Sequence, residues 1–152
     1  MNPKKVIPFF QNEVLTVNNN DSIIETIKLM KKNFFSQIPV LDDENKFIDL
    51  LTNNTVARWL GDLEDQGGGK LIMNDTPIIN VLNYKENYVD YKFISKDLNI
   101  INTLDFFYNE SESRNKIESL LITHSGNKNE KILGIITHWD IPEIYKSLND
   151  VQ

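Results

Sequence analysis

No cysteine occurs among the 152 residues, which rules out disulfides, thiolate-bound zinc and cysteine nucleophiles. Histidine is nearly as scarce: His124 and His138 are the only two. Neither has a second histidine four residues away or a neighbouring carboxylate pattern, so no metal site is expected. Basic side chains are outnumbered, 16 against 22 acidic, giving a formal charge of −6. A phosphate-backbone binder needs a basic face, so no nucleic-acid partner is expected. A small anionic ligand held by backbone N–H groups remains possible, because those groups do not depend on net charge. No apolar run approaches the roughly 20 residues that span a bilayer. Met1–Pro8 carries two lysines but no apolar stretch of signal-peptide length. These absences predict a cytoplasmic chain with no membrane partner. The sequence also lacks a Gly-x-Ser-x-Gly, a His-Glu-x-x-His or a histidine–carboxylate pairing. No catalytic residue and no catalytic cofactor are therefore assigned, and an enzyme is not expected.

What is present is ordinary for a globular protein, with 40% hydrophobic and 25% charged residues. The length suits one compact domain, or two half-domains sharing a core. Abundant Asn, Ile and Lys with little Ala is a bias seen where coding DNA is AT-rich.

Hydrophobic periodicity divides the chain into two similar halves. Leu15–Val17 is extended and is closed by Asn18–Asn20. Asp21 or Ser22 offers an N-cap, with Glu25 placed for a capping box. Ile23, Ile24, Ile27 and Met30 then mark a helix over 22–32. Residues 38–41 and 47–51 are strands about the turn 42–45, and Val56, Trp59, Leu60 and Leu63 form a second helical stripe. The second half repeats that order. Residues 91–94 are a strand, and Ile100, Ile101, Leu104, Phe107 and Tyr108 mark a helix. Residues 120–123 and 132–136 are strands about the polar turn 124–131. Asp140 is placed to cap a last helix through Leu148, with Pro142 in its first turn. The pattern predicts an α/β (α+β-like) chain of two β-α-β-β-α repeats, at 6–62 and 91–148. A connection over 63–90 holds the loop Gly67-Gly68-Gly69. Units of about 60 residues bury too little surface alone, so the repeats are expected to pack as a pseudo-twofold pair.

The segment Gly134-Ile135-Ile136-Thr137-His138-Trp139-Asp140 resembles the closing motif of a CBS domain, and Ser36-Gln37-Ile38-Pro39-Val40-Leu41-Asp42 resembles its apolar-Pro-Val strand. The resemblance covers about residues 6–148 and implies a tandem CBS pair, or Bateman module. It further implies a stand-alone regulatory module that binds an adenine nucleotide in an inter-repeat cleft and modulates an effector protein, commonly as a homodimer. The ligand would be AMP, ADP, ATP or cyclic di-AMP. Stand-alone bacterial pairs that sense the cyclic dinucleotide tend to carry basic residues after the closing Thr, where this chain has His138 and Trp139. In the family, the Asp contacts ribose hydroxyls, while the Thr and the helix N-terminus face ribose or phosphate. The implied site combines Thr137, His138 and Asp140 with Thr16, Ser36, Gln37 and Ile38. A weaker second cleft would use Thr52, Thr55 and Ile122. There Asp49 replaces the family's Gly and Thr55 its Asp.

Several residues have a plainer reading as well. Asp140 could serve only as a helix N-cap, and Thr137 could bond only local backbone. Pro39 could simply end strand pairing, and His138 could be a solvated turn residue. The loop Gly67–Lys70 lacks the spacing of a phosphate loop. Trp59 and Phe106-Phe107 suit a core or a dimer interface. The alternative function is a ligand-free interaction module with degenerate clefts.

Overall fold

The computed structural model describes residues 13–65, 76–108 and 117–149. The Gly67–Gly69 loop lies outside them. The chain divides into two compact units, Leu15–Asn87 and Met1–Val14 with Tyr88–Gln152. Among the described residues, no helix is long and apolar enough to cross a membrane.

The first unit runs β1 (Val17–Asn18), α1 (Ile23–Asn33), β2 (Gln37–Leu41), β3 (Phe47–Thr52), α2 (Asn53–Asp65) and α3 (Ile78–Leu82). Its sheet has the order β1-β2-β3, with β1 parallel to β2 and β2 antiparallel to β3. Ser22 caps α1, its hydroxyl accepting from Glu25 N at 3.4 Å. Strand alternation sends Ile38, Val40 and Leu51 to the helix side. There they join Val17, Ile23, Met30, Trp59, Leu63, Ile78 and Val81 in one core. Burying each such side chain contributes about 1.5–3 kcal/mol. Pro39 sits in the central strand, opposite Leu50. Its missing N–H is tolerated because β1 pairs only with Val40 and Leu41.

The pattern gives residues 63–90 to a connection, but helix α3 falls inside that span and its Ile78 and Val81 are fully buried in the first core. Backbone bonds fix the segment in place: Ile23 N to Thr76 O at 2.9 Å, and Ile78 N to Asp21 O at 3.0 Å. Side chains of α2 hold its far end. Arg58 bonds Tyr84 O and pairs with Glu86, and Tyr84 donates to Asp62 at 2.7 Å. Lys85 pairs with Asp49 and also donates to Leu50 O. Asp49 shares the helix-side face with Leu51, which puts it within reach of Lys85.

The second unit repeats the order with β4 (Tyr91–Ser95), α4 (Ile100–Tyr108), β5 (Ser119–Thr123), β6 (Gly134–Thr137), a 3₁₀ turn (His138–Asp140) and α5 (Ile141–Asn149). The sheet order is β4-β5-β6, parallel then antiparallel. Leu120, Ile122 and Ile136 join Ile94, Ile100, Ile117 and Ile144 in its core. Phe106 and Phe107 pack half-buried against that core, and Trp59 is buried in the first. The polar turn between β5 and β6 closes on Glu130. Its carboxylate accepts from Ser125 N, Ser125 Oγ, Asn127 N and Thr123 Oγ1 at 2.7–3.2 Å. Gly126, at φ 85°, passes so close to Ser95 N that a Cβ would stand 3.2 Å from it.

Two predictions follow from these contacts. Lys85→Met strands the half-buried Asp49 carboxylate and should cost roughly 1–3 kcal/mol in urea unfolding; adding Asp49→Asn should recover part of the loss. The Ser125 hydroxyl and amide, with Asn127 N and the Thr123 hydroxyl, hold Glu130 at a pKa of about 2, against opposing desolvation. Stability from this depressed carboxylate is complete above the unfolded pKa, near 4.5, and is lost as pH falls from there toward 2. Glu130→Gln should therefore flatten the acid limb of a stability–pH curve, while leaving its shape above about pH 6 unchanged.

Candidate functional site

The site residues of the second unit meet where β6 turns into the last helix. Thr137 ends the strand in an extended conformation (φ −123°, ψ 175°) and is the N-cap of the His138–Asp140 turn. Its hydroxyl accepts from Trp139 N at 3.3 Å. Its own amide donates to Asp140 Oδ2 at 2.8 Å, and its hydroxyl lies 3.4 Å from the same oxygen. Together these bonds make a capping box. The expectation that Asp140 is the N-cap is corrected: the chain becomes helical directly after Thr137, so Thr137 takes that role. Asp140 stands third in the turn and reaches back to the cap amide. Burial pushes the Asp140 carboxyl above its usual value, opposed by the two Thr137 bonds, with Glu143 adding repulsion.

His138 is held by its surroundings. Its Nε2 lies 3.0 Å from Ile117 O, and its ring sits 4.6 Å from that of Phe107. This side chain ties the capping turn to α4 and to the residue two before β5. Trp139, next in the chain, is 82% exposed.

Ser119 is a residue that sequence reasoning missed. It stands opposite Thr137 in the β5–β6 register and shares that sheet face with Leu121, away from Leu120 and Ile122. Ser119 is 0% exposed, and its Oγ has no hydrogen-bond partner among the described residues. A buried hydroxyl in that state costs about 1–3 kcal/mol unless something bonds it. The one available signal was positional: Ser119 occupies the place in the second repeat that Gln37 holds in the first. Gln37 pairs with Thr52 as Ser119 pairs with Thr137.

The first unit builds the same corner with neutral groups. Thr55 N bonds Thr52 Oγ1 at 3.3 Å, and the two hydroxyls lie 3.2 Å apart, both residues buried. Ser36 Oγ donates to Gln37 Oε1 at 2.9 Å, and Asn53 N donates to Ser36 O. Ser36, Gln37, Thr52 and Thr55 are thus brought together, with Thr16 one residue before β1. Ile38 and Ile122 are not: each side chain is fully buried in the core of its own unit. Alternation turns them to the helix side, so each could meet a ligand only through its backbone.

Comparison with known proteins agrees with this anatomy. Residues 7–62 match the family model described as "CBS domain". An uncharacterized protein of Methanocaldococcus jannaschii is 27% identical over 55 residues, 36% of this chain; the match spans 19% of that protein. Among solved structures, a Vibrio cholerae protein assigned to acetoin utilization (AcuB) superposes with TM-score 0.71 at 17% identity, over 99% of this chain and 96% of that one. The CBS domain pair of protein MJ0100, in complex with 5′-methylthioadenosine and S-adenosyl-L-methionine, gives 0.65 at 17% identity, over 97% and 99%. CBSX2 in complex with AMP gives 0.66 at 11% identity, over 95% and 98%.

If the cap is reciprocal, Thr137→Ala and Asp140→Ala should each cost about 1 kcal/mol. The double variant should then cost clearly less than their sum, as a urea-unfolding double-mutant cycle would show. With residues 7–62 matching the CBS domain model and the same element order repeated after them, the chain has the fold of a CBS domain pair.

Proposed function

We propose that the chain is a regulatory ligand sensor with one principal site for an adenine nucleotide or related adenosyl compound, built on Thr137, Asp140 and Ser119. The observation that carries this reading is the fully buried, unpartnered Ser119 hydroxyl, on the same sheet face as the cap whose carboxylate is Asp140. One Asp140 oxygen bonds Thr137, and a carboxylate can accept from paired ribose hydroxyls. The first turn of the last helix adds N–H groups suited to phosphate. The ligands in the MJ0100 and CBSX2 complexes, all adenosyl compounds, support this class. His138 serves as a positioning residue in this scheme, because its ring nitrogen is engaged with Ile117 O. Ligand binding would favour one arrangement that an effector protein recognises, a population shift. We also propose self-association, which the exposed Ile101, Tyr108 and Tyr145 of α4 and α5 would favour.

A second reading, a ligand-free interaction module, draws on the first unit. Its Thr52–Thr55 corner bonds to itself and its Asp49 is engaged by Lys85. No carboxylate stands there where Asp140 stands in the second unit.

A thermal-shift panel of AMP, ADP, ATP, cyclic di-AMP and S-adenosylmethionine separates the two readings. A ligand at about 100 times its Kd should raise Tm by roughly 5–10 °C. Asp140→Asn should abolish that shift while holding baseline stability within about 1 kcal/mol, since the amide oxygen can still accept from Thr137 N. Ser119→Ala should raise the ligand-free Tm, by removing an unsatisfied hydroxyl, and reduce the ligand-induced shift. No shift with any of the five compounds would leave the interaction-module reading.

A further inference from the structure

Helix α1 ends on Phe34 at φ 57°, ψ 34°. Glycine is the usual occupant of this left-handed position, and a bulky side chain there is an outlier. The other described non-glycine residue with positive φ is Asn45, a type that tolerates it in turns. The cap at Phe34 is complete without the ring: Phe34 N reaches Lys31 O at 3.3 Å, and Phe35 N reaches Met30 O at 2.9 Å. Phe34 is 93% exposed and Phe35 is 40% exposed. Lys31 and Lys32 fill the last turn of the helix. Both are exposed, and neither makes an ion pair among the described residues.

Strained backbone that presents a side chain to solvent is retained where the side chain has a use. We infer that Lys31, Lys32, Phe34 and Phe35 form a docking knob for a short acidic segment of a partner protein, with an apolar side chain set between carboxylates. Charge decides the occupant. An anionic membrane or a nucleic acid is extended and meets the repulsion of a chain of net charge −6. A short peptide, within a screening length of roughly 8 Å, meets mainly the two lysines. The aromatic pair supplies the apolar contact that such a small interface needs at its centre. The knob does not depend on nucleotide binding, and a blank nucleotide panel would leave it standing.

The test uses the full chain with its Phe34→Gly and Lys31→Gln/Lys32→Gln variants. Each is titrated with short synthetic peptides carrying Leu, Met, Phe or Trp between Glu residues, and with the same peptides carrying Gln for Glu. Phosphatidylglycerol–phosphatidylcholine vesicles and a single-stranded poly-dT oligonucleotide run alongside. The acidic peptides should bind at low salt at least about tenfold more tightly than the Gln versions, and both variants should lose about tenfold or more. Phe34→Gly should keep its Tm or gain roughly 2–4 °C, because glycine relieves the left-handed strain. Any of five results overturns the proposal: no acidic-peptide binding, equal binding of the Gln peptides, preference for vesicles or oligonucleotide, full binding by Phe34→Gly, or a lowered Tm in that variant. Loss of a nucleotide-induced shift in Phe34→Gly would also overturn it, assigning the ring to the ligand site.

Discussion

The hydrogen bond from the Thr137 amide to the Asp140 carboxylate is the contact on which the second-unit site depends. It lets β6 become helical within one residue, by satisfying a donor that a helix start would otherwise leave open. Because Thr137 is still in the strand, its side chain stays on the sheet face it shares with Ser119. Because Asp140 is already helical, its carboxylate is drawn back over that strand end. One bond thus brings a threonine, an aspartate and a buried serine to a single corner. His138 braces the corner from behind through Ile117 and Phe107.

The first unit makes the same backbone turn without the charge. Thr52 and Thr55 close on each other, so the corner is satisfied internally and carries no carboxylate. Three residues before Thr52, Asp49 is engaged by Lys85 and helps hold the 76–87 segment against α2 and β3. The corresponding residue of the second unit is Gly134, opposite Ile122. The two repeats therefore share geometry and differ in electrostatics: one corner spends its polar groups on internal structure, while the other leaves some uncommitted.

Elements that announce themselves by repetition were legible in the sequence. Period-two strands and three-to-four-residue helical stripes place Ile38, Leu51, Trp59, Ile122 and Ile136 in cores, and the order of elements in each half follows from them. Helix α3 was not legible, because five residues after a glycine run give less than two turns of periodicity. Its place is set by distant partners, Asp21, Asn19 and Arg58. The Thr137–Asp140 pairing was visible as composition, yet which of the two caps depends on where the helix begins, a boundary that patterns locate only within a few residues. Ser119 was marked only by its place matching Gln37, because nothing local marks a serine as unpartnered. That property arises only when β6 is laid beside β5. At Ile38 the apolar-Pro-Val motif made the strand legible but not the side chain's direction, which alternation turns into the core.

A sensor needs a site that is less comfortable empty than filled, because a ligand shifts an equilibrium only through its differential affinity. On the proposed reading the second-unit corner has that property twice over. Burial raises the energy of the ionised Asp140 carboxyl and pushes its pKa up. Ser119 carries the separate cost of a hydroxyl with no partner. A ligand offering paired hydroxyls to the first and a polar atom to the second would relieve both costs together. The first-unit corner carries no such cost, since Thr52 and Thr55 already satisfy each other. The asymmetry between the repeats follows from the hydrogen bonds made at two matched corners, and on the proposed reading it would place sensing in the second unit.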